Sequence, residues 1–231
     1  NMRNCGGTEH LSPTLYHSAL SGDVDAVMRN LAAAHNLAAF ALVGYSMGGN
    51  LVLKLAGEMG EAAPGLLKAV VGVSPVIDLG VSADALHEPQ NRLYEWKFMR
   101  GLLGRFRRKA QLFPWIYSTK GIETIRTIRE FDEKITGPYS GYLGADDYYY
   151  RAASARVVDR IAVPTLILNA QDDPFIRLLP ATREAMIANP RIFFVETAHG
   201  GHCAFLAPAR GYDGYWAEKT LHDFLLWTTA G

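Results

Sequence analysis

The sequence predicts an α/β fold built on a mostly parallel sheet with flanking helices. The apolar run at residues 37–43 has the length of a strand buried on both faces, and further strand-like runs lie at residues 69–73, 162–169 and 191–196. Helix-compatible or loop-rich stretches separate these runs. With 231 residues, 49% of them hydrophobic, and a mean hydropathy of +0.00, the chain suits one such domain.

A short glycine-rich motif, Gly44-Tyr-Ser-Met-Gly-Gly, follows the first run and precedes a helix-compatible stretch. A Gly-x-Ser-x-Gly pattern between a strand and a helix is typical of a nucleophile elbow, although an ordinary glycine-rich connection is the alternative. The sharp turn needs small residues on both sides of Ser46, and we expect Gly44 and Gly48 to meet that need. The N–H of Met47 would then face the oxyanion that forms during acyl transfer.

A nucleophilic serine needs a base and an acid, which elbow-type hydrolases supply later in the chain, acid before histidine. Two loops that follow strand-like runs contain such residues: 170–175 and 197–205. Loops at the carboxyl ends of parallel strands meet at one edge of the sheet. The order along the chain therefore favours a Ser-Asp-His triad at that edge.

Each of these two positions has more than one candidate. Asp173 directly precedes Pro174, and we prefer it as the acid to Asp172, which we interpret as a turn or supporting residue. His202 follows two glycines, whose flexibility lets a loop present an imidazole, so we prefer it as the base to His199. Asp78 also follows a strand-like run and is a minor candidate acid, although we favour a hinge role for it.

The segment between the strands near residues 73 and 163 does not read as a plain βα repeat. We expect one domain over residues 1–231, with a helical cap insertion at about 80–155. The first half of this insertion combines apolar residues at roughly helical spacing with a basic cluster. A solvated helix face above a core-facing stripe is one interpretation, and a lid that contacts anionic lipid or admits acyl chains is the other. The cluster comprises Arg92, Lys97, Arg100, Arg105, Arg107, Arg108 and Lys109.

Composition excludes several other classes of function. The formal net charge is +0, which gives no support for nucleic-acid binding. We find neither metal-ligand spacing of Cys and His nor a phosphate loop after a strand, so we expect no metal and no cofactor. Cys5 and Cys203 are too few for a disulfide framework and favour a reducing, cytoplasmic setting. No apolar run approaches the roughly 20 residues of a membrane helix.

Several of these motifs, taken together, resemble one branch of a known superfamily, the α/β-hydrolases of the YheT and embryogenesis-associated EMB8 type, related to the mammalian ABHD1/ABHD3 lipases. The resemblance covers nearly the whole chain and implies the α/β-hydrolase fold with a helical cap. It also implies that Ser46, Asp173 and His202 form the triad. Its motifs are residues 1–7, 16–18, 44–50, 126–132, 148–150, 172–175 and 200–202.

The start of the chain departs from this family. Relatives carry a long stretch before Asn1 that holds the first strands and the loop whose N–H completes the oxyanion hole. We therefore expect a truncated chain whose first strands are missing and whose elbow strand has an unpaired apolar edge. Met47 N–H would remain, but losing its partner donor costs on the order of 10² to 10³ in rate. Asn4 stands where the family more often has glycine.

The resemblance and the motifs predict a serine carboxylesterase or lipase-like hydrolase that acts through an acyl-enzyme. Its substrate would be a small-molecule or lipid acyl ester, and the basic cap would allow peripheral membrane contact. Three alternatives stay open, one of them a peptidase, which is possible on the triad alone although the family resemblance argues against it. An acyltransferase would use the same triad to pass the acyl group to an alcohol or thiol. A truncated, non-catalytic protein would keep the fold without a working oxyanion hole.

Overall fold

A four-stranded sheet organises the computed structural model, which describes residues 1–229. All neighbouring strands are parallel, in the order β1-β2-β3-β4, so the predicted parallel α/β class is confirmed. Each strand coincides with one of the apolar runs in the sequence. The strands are β1 (Phe40–Tyr45), β2 (Leu67–Val73), β3 (Thr165–Ala170) and β4 (Ile192–Thr197).

Helices occupy most of the remaining chain. Among the described residues, no helix is long and apolar enough to cross a membrane. A π-helical turn at Asp132–Thr136 lies between two of the shorter α-helices. The α-helices are α1 (Ser21–His35), α2 (Met47–Met59), α3 (Leu79–Leu86), α4 (Arg92–Leu112), α5 (Ile128–Phe131), α6 (Gly137–Tyr139), α7 (Ala145–Ala152), α8 (Pro180–Ala188) and α9 (Trp216–Thr229).

The chain divides into two compact units. The sheet unit comprises Ser18–Ser82 and the chain from Ala152 onward, and the helical unit comprises Asn1–His17 and Ala83–Arg151. The longer part of the helical unit falls within the cap insertion that we predicted at about 80–155. The grouping of Asn1–His17 with this segment was not predicted. A single domain with a cap insertion stays a prediction.

The core of the sheet unit lies on both faces of the sheet. Val70 and Ile167 face one side, where they pack with the buried residues of α2 and with Met186 of α8. Val71 and Leu168 face the other side, where the cluster includes Phe205 and partly buried residues of α9. This alternation follows from the two-residue period of a strand, and it explains why successive central residues of β2 and β3 are apolar on both faces.

The elbow strand β1 differs from the prediction that it is buried on both faces. It lies at an edge of the described sheet, and its residues alternate between partly buried and exposed. Val43 and Tyr45 are 39% and 40% exposed. The physical reason is that α2 packs on one face of β1, whereas α9 packs on β2 and β3 and leaves the other face of β1 uncovered.

Helix α2 is fixed in the sheet unit by a buried polar side chain. Asn50 donates through Nδ2 to the carbonyl oxygens of Ser18 and Ala152, at 3.0 Å each, and accepts from the N–H of Ser154 at 2.8 Å. Both polar atoms of the Asn50 side chain are thus hydrogen-bonded to backbone groups, which offsets the cost of burying them. Asn50 therefore ties the helix behind the elbow to two distant segments.

The helical unit has its own core and an unexpected buried cation. Phe106 of α4 packs edge-on against Tyr117 and Phe131. Lys109, which we placed in the basic cluster of the insertion, is only 1% exposed. Its Nζ donates to Asn4 Oδ1 at 2.6 Å and to the carbonyl oxygens of Glu9 and Ser12. This burial lowers the pKa of Lys109, and the three acceptors replace the water that the ammonium loses.

Candidate active site

Ser46 occupies a strained turn between β1 and α2, with φ 53° and ψ −120°. A non-glycine residue rarely adopts a positive φ unless its surroundings hold it there. Here the carbonyl oxygen of Val73 accepts from the N–H of Ser46 at 2.9 Å. The N–H groups of Asn50 and Val76 donate to the Ser46 carbonyl oxygen, both at 3.2 Å. These bonds fix the turn, so the hydroxyl has a defined position.

The glycines around Ser46 have unequal roles. A Cβ at Gly44 would lie 2.2 Å from the carbonyl oxygen of Gly48, so only glycine fits there. A Cβ at Gly48 would meet nothing within 4 Å, which contradicts the prediction that this position must be small. At Gly49, however, a Cβ would lie 2.7 Å from the Cβ of Pro75. The close approach therefore requires Gly44 and Gly49 rather than Gly44 and Gly48.

The hydroxyl of Ser46 begins a chain of two hydrogen bonds. Its Oγ lies 3.0 Å from Nε2 of His202, and Nδ1 of His202 lies 2.9 Å from Oδ2 of Asp173. The other Asp173 oxygen, Oδ1, accepts from the N–H groups of Phe175 and Ile176 at 3.1 and 3.0 Å. Because the Asp173 side chain is only 2% exposed, these three partners hold the carboxylate in one orientation.

The neighbouring acid and histidine stand apart from this chain of bonds. Asp172 accepts from the N–H groups of Gly200 and Gly201 at 2.9 and 2.7 Å, and its other oxygen lies 3.3 Å from Nδ1 of His199. The His199 side chain is 90% exposed. Asp172 thus ties the loop after β3 to the loop after β4, and through that loop it supports His202.

Asp78 also contacts neither Ser46 nor His202 in any hydrogen bond of the described structure. It is buried, and its two oxygens accept from the N–H of Leu179 and the hydroxyl of Thr182, both at 2.9 Å. Burial raises the pKa of Asp78, and these two donors oppose the rise. The contacts are those of a residue that anchors the start of α8 rather than of a catalytic acid.

Two residues near the site, Phe175 and Ser74, were given no role in the sequence analysis. The ring of Phe175 lies 4.4 Å from that of His202, between centroids, and covers the imidazole from solvent. Ser74 has φ 42°, and its Oγ accepts from the N–H of Cys203 at 3.3 Å. Cys203 itself has φ 67°. Ser74-Pro75 directly after a strand-like run, and Phe175 directly after Asp-Pro, were the available sequence signals.

The pKa of His202 is raised to about 9, which favours the imidazolium. Burial alone would lower this pKa, because a buried cation loses its hydration. The hydrogen bond to Asp173 and the neighbouring Cys203 side chain act in the opposite direction and outweigh it. The site is therefore built to stabilise a protonated histidine, which is the state that a general base reaches after it accepts a proton.

Over residues 1–229, no group of three or more His, Cys, Asp and Glu side chains could hold a metal ion.

The sequence is similar to those of known proteins over nearly its whole length. A model of the alpha/beta hydrolase family matches residues 1–213. The chain is 31% identical over 229 residues to the putative esterase YheT of Escherichia coli, with 97% of this chain and 66% of that protein covered. It is 30% identical over 220 residues to phospholipase ABHD3 of Mus musculus, with 95% and 52% covered. The chain thus spans between half and two thirds of the length of these relatives.

A solved structure with the same fold is an alpha/beta fold family hydrolase from Bacillus anthracis. It superposes with a TM-score of 0.54 at 13% identity, covering 99% of this chain and 80% of that chain. At this identity the likeness concerns the fold alone. The resemblance to YheT, ABHD3 and EMB8 that we drew from the motifs is confirmed, the last at 26% identity to the Picea glauca protein. The chain therefore belongs to the alpha/beta hydrolase family.

Proposed function

We propose that this protein is a serine carboxylesterase that hydrolyses acyl esters through an acyl-enzyme. The observation that carries the proposal is the unbroken hydrogen-bonded chain from Ser46 through His202 to Asp173, with contacts of 3.0 and 2.9 Å. A serine, an imidazole and a buried carboxylate in this order are the parts that acyl transfer requires. The names of the relatives, an esterase and a phospholipase, support an acyl ester as the substrate class.

In the proposed mechanism, His202 Nε2 takes the Ser46 proton while Oγ attacks the ester carbonyl carbon. Asp173 stabilises the resulting imidazolium through Nδ1, and the N–H of Met47, at the start of α2, donates to the oxyanion. The imidazolium then returns its proton to the leaving alcohol, which leaves an acyl group on Ser46. Water activated by His202 attacks this acyl group, and the acid departs with Ser46 restored.

A fluorophosphonate probe tests whether Ser46 is activated. We expect the probe to label the folded protein covalently and to leave a Ser46→Ala variant unlabelled, since phosphonylation requires a nucleophilic hydroxyl. Hydrolysis of p-nitrophenyl esters of increasing chain length, measured in parallel, would define the acyl preference. A folded protein that neither takes the label nor hydrolyses any ester of the series would contradict the proposed function and favour the non-catalytic alternative.

The raised pKa of His202 predicts an alkaline pH profile. His202 must be neutral to accept the Ser46 proton, and its pKa of about 9 leaves it mostly protonated at neutral pH. We therefore expect kcat/KM for a p-nitrophenyl ester to rise about tenfold per pH unit and to level off near pH 9. Replacing Cys203 by Ala should move the inflection to lower pH, because one of the groups that raise this pKa is removed. A profile that is already flat from pH 7 would contradict the prediction.

The same shift has a consequence for stability. Because the pKa of His202 in the folded protein exceeds its ordinary value of 6.5, protonation stabilises the fold. This contribution is complete below about pH 6.5 and is lost as the pH rises through about 9. At the alkaline pH where we expect the highest activity, protonation of His202 therefore no longer stabilises the folded state.

A further inference from the structure

The helical unit contains a cavity of about 560 Å³ that the proposed esterase chemistry does not use. Its volume falls within the roughly 300–1,000 Å³ of typical small-molecule sites. One wall is a face of α4 and the other is the loop Asn4–Gly7 together with Glu9. Four basic side chains and a single carboxylate line it, giving a formal charge of +3. The basic residues are Lys97, Arg100, Arg105 and Arg108.

The basic side chains share one face of α4. Lys97 and Arg100 are three residues apart, as are Arg105 and Arg108, and Gly101 and Gly104 lie between the two pairs, so all six positions lie along one side of the helix. A Cβ at Gly101 would meet nothing within 4 Å, and one at Gly104 only Nη1 of Arg108, at 3.8 Å. Glycine inside a helix costs about 1 kcal/mol relative to alanine. No neighbouring atom requires glycine at either position. A need to keep the floor of the cavity open would explain why glycine is present there.

The guanidinium groups at the cavity are held in place by neighbouring groups. Arg108 donates through Nε and Nη2 to Oε1 of Glu9, at 3.1 and 3.0 Å, which leaves Nη1 above the cavity floor at Gly104. Arg105 Nη1 lies 3.5 Å from Sγ of Cys5 in the opposite wall. Glu9, the carboxylate of the lining, is therefore engaged by Arg108 and does not cancel the charge of the other cations.

The loop that forms the opposite wall is rigidly attached and has an unusual backbone. Lys109 binds Asn4 and Glu9 from beneath, so the loop is fixed to α4. Asn4, Gly6 and Gly7 have φ of 59°, 63° and 83°. Cys5, between Asn4 and Gly6, does not have a positive φ, and an alternation of right- and left-handed residues can turn successive N–H groups toward a concave, anion-binding side. Asparagine, which stands at position 4, is one of the few residue types other than glycine that tolerates this conformation.

We propose that this cavity binds a phosphate-class anion, either free phosphate or the phosphate of an organic headgroup, between the basic face of α4 and the Asn4–Gly7 loop. Guanidinium groups match the geometry of phosphate oxygens and form strong, charge-assisted hydrogen bonds with them. A tetrahedral phosphate fills only part of the volume, which leaves space for an attached organic group. The proposed site belongs to the helical unit, whereas Ser46, Asp173 and His202 belong to the sheet unit.

Isothermal titration calorimetry of the whole protein with inorganic phosphate tests this proposal. We expect saturable binding that Arg105→Gln weakens by about tenfold, the loss of one charge-assisted contact. Arg107→Gln is the matched control, because it removes the same charge from the same helix at an exposed position that does not line the cavity. It should change the dissociation constant by less than about twofold, as expected for a screened surface charge.

Gly101→Ala separates the cavity from its charge, because it adds one methyl group to the floor and removes no cation. We expect it to weaken phosphate binding and to raise the melting temperature, so misfolding would not explain the loss. Titrations with glycerol 3-phosphate, and with phosphatidylcholine vesicles with and without phosphatidic acid, distinguish free phosphate from a headgroup. Saturable binding of any of these probes that Arg105→Gln selectively weakens supports the proposal. Equal losses in Arg105→Gln and Arg107→Gln, or no saturable binding of any probe, would overturn it.

Discussion

Replacement of His202 by alanine is expected to lower kcat/KM for ester hydrolysis by roughly 10⁴ to 10⁶, because no other group among residues 1–229 is placed to accept the Ser46 proton. His202 Nε2 lies 3.0 Å from Ser46 Oγ and is the contact on which the proposed chemistry depends. Measurement of kcat/KM with p-nitrophenyl esters, alongside the melting temperature, separates a catalytic loss from a loss of fold. A variant that retains activity within tenfold of the original protein would remove His202 from the mechanism.

His199 offers a matched control in the same loop. Like His202, it contacts an aspartate, Asp172. Its side chain is 90% exposed, however, and it makes no hydrogen bond to Ser46 in the described structure. We expect His199→Ala to change kcat/KM only a few-fold, as for a surface residue away from the reacting atoms. If both alanine variants were equally impaired, the loop as a whole, and not the His202 imidazole, would be what activity requires.

The two histidines also illustrate how much of the candidate site could be predicted from the sequence. The sequence alone was sufficient to propose Ser46, Asp173 and His202. The signals were the order of serine, acid and histidine along the chain and the position of each after a strand-like run. The four apolar runs likewise predicted the four strands, because buried parallel strands have a distinctive composition. Each of these features depends on a short stretch of sequence, so a local sequence pattern is enough to predict it.

Features that depend on distant contacts could not be predicted in this way. Lys109 belongs to a run of basic residues, and its burial depends on Asn4, which lies 105 residues away in the sequence. The two faces of β1 have similar sequences, yet only one is covered, because α9 packs on its neighbours. The shielding of His202 by Phe175 similarly joins loops that follow different strands. In each case the tertiary fold, and not the residue type, determines the environment.

Replacement of Gly44 by alanine is expected to disrupt the fold around the elbow. The added Cβ would lie 2.2 Å from the carbonyl oxygen of Gly48 and 2.6 Å from the N of Gly49, and backbone atoms cannot rotate away as a side chain can. We expect the free energy of unfolding to fall by on the order of 4 kcal/mol, within the range of severe overpacking, and soluble yield to fall with it. Urea denaturation measures the change, and ester hydrolysis should be lost in parallel.

Gly48→Ala gives the contrast that makes this result interpretable. It introduces the same methyl group two residues after Ser46 instead of two before, at a position where a Cβ would meet nothing within 4 Å. Because Gly48 lies in the first turn of α2, alanine there should leave stability unchanged or raise it by up to about 1 kcal/mol. The sequence motif treats the two glycines alike, whereas the geometry separates them. Equal destabilisation by both substitutions would show that the elbow constrains both sides of Ser46, as the motif alone implies.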